Sequence, residues 1–196
     1  MKTIVMASGN AGKIREVGEL LAGLDVEIVP QSKCGVVDAD ETGTTFEENA
    51  IIKARHAVAA TGLPAIADDS GLSVDALDGR PGVYSARYAG PGASDDDNID
   101  KLLAELDGVD ARGAAFHCVA CFVDADNGEP LLARGSWRGK ILTARRGDGG
   151  FGYDPVFLVP ELGKASAELS PDEKNARSHR GQALKILAAA LRTRLD

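Results

Sequence analysis

The chain has 196 residues, 44% hydrophobic and 27% charged, with 22 basic against 30 acidic residues for a formal net charge of −8. Such a length and mixed composition fit one well-cored globular domain over 1–196 and exclude a disordered or fibrous chain. The negative balance argues against a nucleic-acid surface, no run of about 18 apolar residues offers a membrane span, and the apolar stretch after Met1-Lys2 ends at Ser8, too early for a secretory segment; a cytoplasmic protein is expected.

The first elements read as strand, glycine turn and helix. An apolar run, Thr3 to Ala7, breaks into Ser8-Gly9-Asn10-Ala11-Gly12-Lys13, and a helix is predicted over Lys13 to Leu24 with Ile14, Val17, Leu20, Leu21 and Leu24 on one face. A strand over Val26 to Val29 follows. The polar stretch Gln31 to Thr44 carries Asp38, Asp40 and Glu41, and Thr45-Phe46-Glu47-Glu48 presents a capping box for a helix to about Ala60. Next comes a short strand, Pro64 to Ala67, closed by Asp68-Asp69-Ser70-Gly71, with Leu72-Ser73-Val74 as a continuation past a bend.

Ser94 opens a further helix, since Asp95, Asp96 and Asp97 suit the positive end of its dipole while Ile99, Leu102, Leu103 and Leu106 form a buried stripe. Ala114 to Ser136 reads as two strands joined across Asp126-Asn127-Gly128, with Trp137 to Thr143 as a third, so this half is expected to be antiparallel. Ser170-Pro171-Asp172-Glu173 starts the last helical region, continued by Ala183, Leu184, Leu187 and Leu191. No internal repeat is present. The expected fold is α/β: a mixed, strongly twisted central sheet with flanking helices and two lobes around a nucleotide cleft. Cys34, Cys118 and Cys121 are too few for a disulfide framework. Strand alternation sends Cys118 and Cys121 to opposite faces, which favours packing over redox or zinc chemistry.

Five segments carry candidate chemistry. A glycine turn into a helix start favours phosphate oxygens, and Lys13 adds a formal charge. The spacing is not that of a Walker loop, so a phosphate cradle and a plain turn both fit. Asp68 and Asp69 are the sharpest catalytic candidates; adjacent strand residues point apart, so one carboxylate can meet a ligand while the other orders the turn. Mg²⁺ takes oxygen ligands, and Asp40, Glu41 and Asp69 form such a set if the acidic loop folds over the strand; the bland reading has Asp68 and Asp69 capping a bend. Asn49 and Lys53 share a helix face and, with Asn10 and Lys13, would grip a triphosphate, though a lone lysine also suits plain surface. Phe151 and Tyr153 among glycines, followed by Asp154, offer a ring face and a carboxylate to a flat heterocycle. Ser178-His179-Arg180-Gly181 supplies groups suited to base edges, with a helix cap or core histidine as the alternative; Trp137 and His117 read as structural.

Taken together, Ser8-Gly9-Asn10-Ala11-Gly12-Lys13, Phe46-Glu47-Glu48-Asn49-Ala50, Ala67-Asp68-Asp69-Ser70-Gly71-Leu72, Pro81 to Tyr88, Gly150 to Pro155 and Ser178-His179-Arg180-Gly181 resemble the inosine triphosphate pyrophosphatase family over nearly the whole chain. The resemblance implies hydrolysis of ITP, dITP, XTP and dXTP to the monophosphate and pyrophosphate, a Mg²⁺ cofactor and a homodimer. It implies that Ser8, Gly9, Asn10, Ala11, Gly12 and Lys13 hold phosphates, that Asp69 is the base and a Mg²⁺ contact, and that Ser70 touches substrate. Phe151, Gly152, Tyr153, Asp154, Lys174, His179 and Arg180 would bind the base. Lys53 would join Lys13 on the phosphates, and Asp40 would join Asp69 on the metal, with Glu41 after it. Two departures are visible: Ser8 stands where the family usually has threonine, and Asp40 where a glutamate is common, one methylene longer.

Overall fold

The N-terminal strand is apolar on both faces because helices cover both sides of the sheet it enters. In the computed structural model, which describes residues 2–22, 24–126 and 128–195, β1 (Lys2–Met6) leads into α1 (Ala11–Leu21), whose cap is Asn10, its side chain accepting the Lys13 N–H at 3.0 Å. β2 (Val26–Pro30) returns parallel to β1 with Ile4 opposite Ile28. α2 (Phe46–Thr61) begins at the Thr45–Glu48 capping box and ends at Gly62, which adopts the left-handed φ of 67° that a terminating residue needs. β3 (Ala65–Val74) then pairs parallel with β1, placing Met6 opposite Ile66.

The remaining elements are α3 (Asp95–Glu105), capped by Ser94 and Asp97, β4 (Gly113–Val123), β5 (Leu131–Ile141), β6 (Phe157–Val159), β7 (Lys164–Ala165), α4 (Pro171–Arg177) and α5 (His179–Leu195). The described strands form one sheet in the order β2-β1-β3-β4-β5-β6-β7, with β6 antiparallel to both β5 and β7. The mixed α/β sheet is therefore as expected. Two local expectations are corrected. β3 does not stop at Ala67 but runs unbroken through Asp68, Asp69, Ser70 and Gly71, so the aspartates lie in mid-strand and cap no bend. Trp137 belongs to the same strand as Leu131, so no separate third strand forms. Asn127 of the expected turn and the side chain of Leu20 lie outside the described residues.

The chain divides into two compact units: Met1–Asp69, Cys118–Gly135 and His179–Asp196 make the first, Ser70–His117 and Ser136–Ser178 the second. In the first, Ile4, Met6 and Ile66 pack with Val17, Leu21, Leu184 and Leu187 of α1 and α5, whereas Val5, Ala65 and Ala67 pack with Ala50, Ala54 and Ala57 of α2. Side chains alternate along a strand, so this parity continues to Asp68 and Asp69. The same alternation puts Cys118 in one cluster and Cys121 in the other, both as free thiols. The second unit has its own core, in which Phe157 lies 4.5 Å from the Phe116 ring and 5.2 Å from Trp137.

The start of α5 is seated by the absence of a side chain. A Cβ on Gly135 would lie 2.0 Å from the His179 carbonyl oxygen and 2.9 Å from the Ala183 nitrogen, both backbone atoms that cannot step aside. Gly135→Ala is expected to destabilise the protein by about 1–3 kcal/mol, the range for overpacking. Chemical denaturation would measure it, and a stability equal to wild type would show that α5 does not depend on this contact.

Candidate active site

Asp68 faces α1 and α5 and meets two cations. Lys13 Nζ lies 3.1 Å from its Oδ2, and the Arg180 Nε donates to the same oxygen at 3.2 Å while Nη1 of that guanidinium donates to Glu16 Oε2 at 2.5 Å. The Asp68 side chain is wholly buried. Burial alone would raise its carboxyl, but Lys13, Arg180 and Lys53 outweigh this and hold it well below the usual carboxylate range. Asp68 is thus a permanent anion that anchors Lys13 and Arg180. Cys118 lies beside it, Sγ to Oδ2 at 3.9 Å, and burial pushes that thiol up to about 12, so it stays protonated and unreactive.

Asp69 faces α2 instead. Lys53 Nζ bridges Asp69 Oδ1 at 2.7 Å and Glu41 Oε1 at 2.8 Å, and the Asn49 amide donates to Asp69 Oδ2 at 3.3 Å. Burial lifts the Asp69 carboxyl above its ordinary value, with the Glu41 charge acting in the same direction and Lys53 in the other. Burial would lower Lys53, yet Asp69, Asp68 and Glu41 lift it, so the ammonium keeps its charge. One strand therefore carries an acid held down on one face and an acid pushed up on the other. A raised carboxylate suits a proton acceptor, because basicity follows pKa.

Near Lys13 the turn is built from its own side chains. The Ser8 hydroxyl accepts the Asn10 N–H at 3.1 Å, Asn10 caps α1, and a Cβ on Gly9 would come within 3.0 Å of Asp38 Oδ2. Gly9, Asn10 and Ala11 are exposed, with Gly12 and Lys13 half-buried behind them. This is a helix start open to an anion, backed by an ammonium.

In the second unit Asp154 is the organising group. Its Oδ1 accepts the Ser166 hydroxyl at 2.8 Å, and its Oδ2 accepts Lys174 Nζ at 2.7 Å and the Phe151 N–H at 2.9 Å. Gly150, at φ 77°, permits this, since a Cβ there would fall 2.1 Å from Asp154 Oδ2. The result sets Lys174 Nζ 4.8 Å over the centre of the Phe151 ring. Gly152 donates its N–H to Asp95 at 2.7 Å, and a hollow of about 380 Å³ is bordered by Phe151, Gly152, Asp95 and Arg145. Tyr153 is a core residue instead: its hydroxyl is buried on the Ser85 carbonyl at 2.8 Å.

The model of the Ham1 family matches residues 4–190. The chain belongs to the Ham1 family. It is 62% identical to a dITP/XTP pyrophosphatase of Methylococcus capsulatus over 97% of this chain and 96% of that protein, and 57% identical to a dITP/XTP pyrophosphatase of Pectobacterium atrosepticum over 98% and 99%. Among solved structures, a HAM1 protein from Coxiella burnetii superimposes with a TM-score of 0.90 at 50% identity, covering 98% of this chain and all of that one.

Within this Ham1 chain the sequence candidates separate. Lys13, Asp68 and Arg180 come together on one face of β3, and Glu41, Lys53 and Asp69 on the other. Asp40 is exposed, and it is Glu41 that reaches Lys53. Asn49 is turned into the protein and not toward an open phosphate site. Arg180 is held by Asp68 and Glu16, His179 is buried at the start of α5, and Ser70 follows Asp69 half-buried in β3. Glu16 and Ser166 escaped the sequence reading. Glu16 carries a signal only in its α1 position one turn after Lys13, and Ser166 none at all.

Among the described residues no group of three or more His, Cys, Asp or Glu side chains is placed to hold a metal ion, and no helix is long and apolar enough to cross a membrane. Glu41 and Asp69 nevertheless share one ammonium, which marks the space between them as a place for positive charge. Mg²⁺ ordinarily takes one or two carboxylates, completing its shell with waters and phosphates, so this pair fits it.

Replacing Asp68 tests the first face. Asp68→Asn should cost about 3–5 kcal/mol, the range for leaving buried charges unpaired. The stabilisation is fully present above about pH 4, the ordinary carboxylate value, and is lost as pH falls through the lowered native value, so wild type and variant should converge in acid. A pH-independent difference in denaturation would remove the charge from this account.

Proposed function

We propose that the protein is a nucleoside triphosphate pyrophosphatase that converts ITP, dITP, XTP and dXTP to their monophosphates and pyrophosphate, cleansing the nucleotide pool. The curated names of relatives as similar as 62% support the substrate class. The observation that carries the chemistry is the placement of Asp69 on Lys53 at 2.7 Å, on the face of β3 opposite an ionised Asp68 paired with Lys13 and Arg180.

In this reading Ser8, Gly9, Asn10, Ala11, Gly12 and Lys13 receive the phosphate chain, and Lys53 balances its charge. Asp69 takes a proton from water as the water oxygen bonds to the α-phosphorus; the bond from that phosphorus to the α,β-bridging oxygen breaks, and pyrophosphate leaves. Positioning and electrostatics carry most of such a reaction. Glu41 and Asp69 would hold Mg²⁺, which when bound neutralises phosphate charge. Phe151 offers its ring to the purine, and Lys174 directs a donor at the 6-oxo group, with His179 as a further edge contact. A 6-amino group would set hydrogens against that donor and leave it unpaired. Asp154 and Arg180 act chiefly by fixing Lys174 and Asp68, to which they are bonded. The three free cysteines suit the reducing cytoplasm, and a homodimer, as the resemblance implies, completes the reading.

Pyrophosphate release from ITP, XTP, ATP and dUTP with Mg²⁺ tests the function; binding without release would make the protein a sensor. Asp69→Asn should keep nucleotide binding and lose turnover by about 10² or more, the range for a positioned base. A fully active Asp69→Asn would exclude it as base. Phe151→Ala should raise KM for ITP with the melting temperature unchanged; lost stability at constant KM would return Phe151 to the core.

A further inference from the structure

Asn49, expected from the sequence to help grip a triphosphate, is instead completely buried on α2, and the proposed reaction gives it no part. Its carbonyl oxygen accepts the Gly43 N–H at 2.8 Å and its NH₂ group donates to Asp69 Oδ2 at 3.3 Å. The amide has only one satisfying orientation, because a backbone N–H can only donate and an ionised carboxylate can only accept. Gly43 lies two residues after Glu41, so the same side chain ties the acidic segment to the middle of β3.

Lys53, one helical turn further along α2, joins those two segments again through Glu41 and Asp69. The two links differ in kind. The ammonium link is exchangeable, since arriving phosphates compete for it. The amide link is neutral and persists when charges around it change. The contact also demands a glycine: a Cβ on Gly43 would lie 2.6 Å from Asn49 Oδ1 and 2.7 Å from Glu48 Cβ.

We propose that Asn49 is a positioning residue that sets the rotation of the Asp69 carboxylate and keeps the Glu41 segment in register with it. The inference rests on Asp69 being the base. With Oδ1 on Lys53 and Oδ2 on Asn49 the carboxylate cannot turn about its last bond without breaking one of them, and displacements of about 1 Å in a reacting geometry cost on the order of 10² in rate.

The test uses Asn49→Leu, which keeps the branching and heavy-atom count without the hydrogen bonds, together with Gly43→Ala and their double variant, each assayed on ITP and melted. Val58→Ala, on the same helix and remote from the chemistry, reports what lost packing alone does. The expected result is a kcat lowered about 10- to 100-fold with KM within about threefold, as misplacement predicts, and a double variant no slower than the worse single, as for residues acting through one contact. Val58→Ala should melt earlier at unchanged kcat. Wild-type kcat in Asn49→Leu overturns the proposal at any melting temperature, as do single effects that multiply in the double variant. Should Asn49→Leu fail to fold, Gly43→Ala decides alone: lowered kcat supports the proposal and unchanged kcat overturns it. An Asp69→Asn that stays active defeats the base itself, whereas an inactive one beside a normal Asn49→Leu defeats only this inference.

Discussion

Two carboxylates on consecutive residues repel each other in a buried place unless something separates them, and here the separator is the pleat of β3. Asp68 and Asp69 leave the strand on opposite faces, so each acquires its own cations and its own acidity. The cations and the amide around the two aspartates follow from that division. Lys13 and Arg180 come from α1 and α5 because those helices cover the face of Asp68; Lys53 and Asn49 come from α2 because it covers the other. A slip of one residue in the strand would exchange the two sets and destroy both.

The electrostatic result is local and opposed to the overall charge. A chain of net charge −8 repels a polyphosphate at long range. What draws one in must be a few cations held at fixed points, and buried acids supply that fixing. Asp68 keeps Lys13 and Arg180 in place at the cost of burying an anion, which is tolerable only because both cations reach the same oxygen. Lys53 stands between Glu41 and Asp69 for the same reason.

The second unit uses a related device for a different end. Asp154 binds a lysine, a serine and a backbone amide at once, and so brings a cation above the Phe151 ring. A flat ring with an ammonium fixed beside it is the arrangement on which the proposed contact with a purine rests. Gly150 supplies the backbone conformation and the space that let Asp154 reach back to Phe151.

Local signals in the sequence determined much of this. The Thr45, Ser94 and Ser170 caps form as their residue types predict, since capping depends on groups within three or four positions of one another. The opposite facing of Cys118 and Cys121 followed from strand alternation alone, and the resemblance of six motifs already pointed to the family. Only the tertiary structure decided that Asp68 and Asp69 sit in mid-strand, that Glu41 and not Asp40 reaches Lys53, that Arg180 serves Asp68 and Glu16, and that Tyr153 packs inward. Those outcomes depend on partners as far as 164 positions apart. Periodicity and capping are short-range properties of the chain, whereas the partner of a buried charge is chosen by which helix covers which face, and no local pattern encodes that.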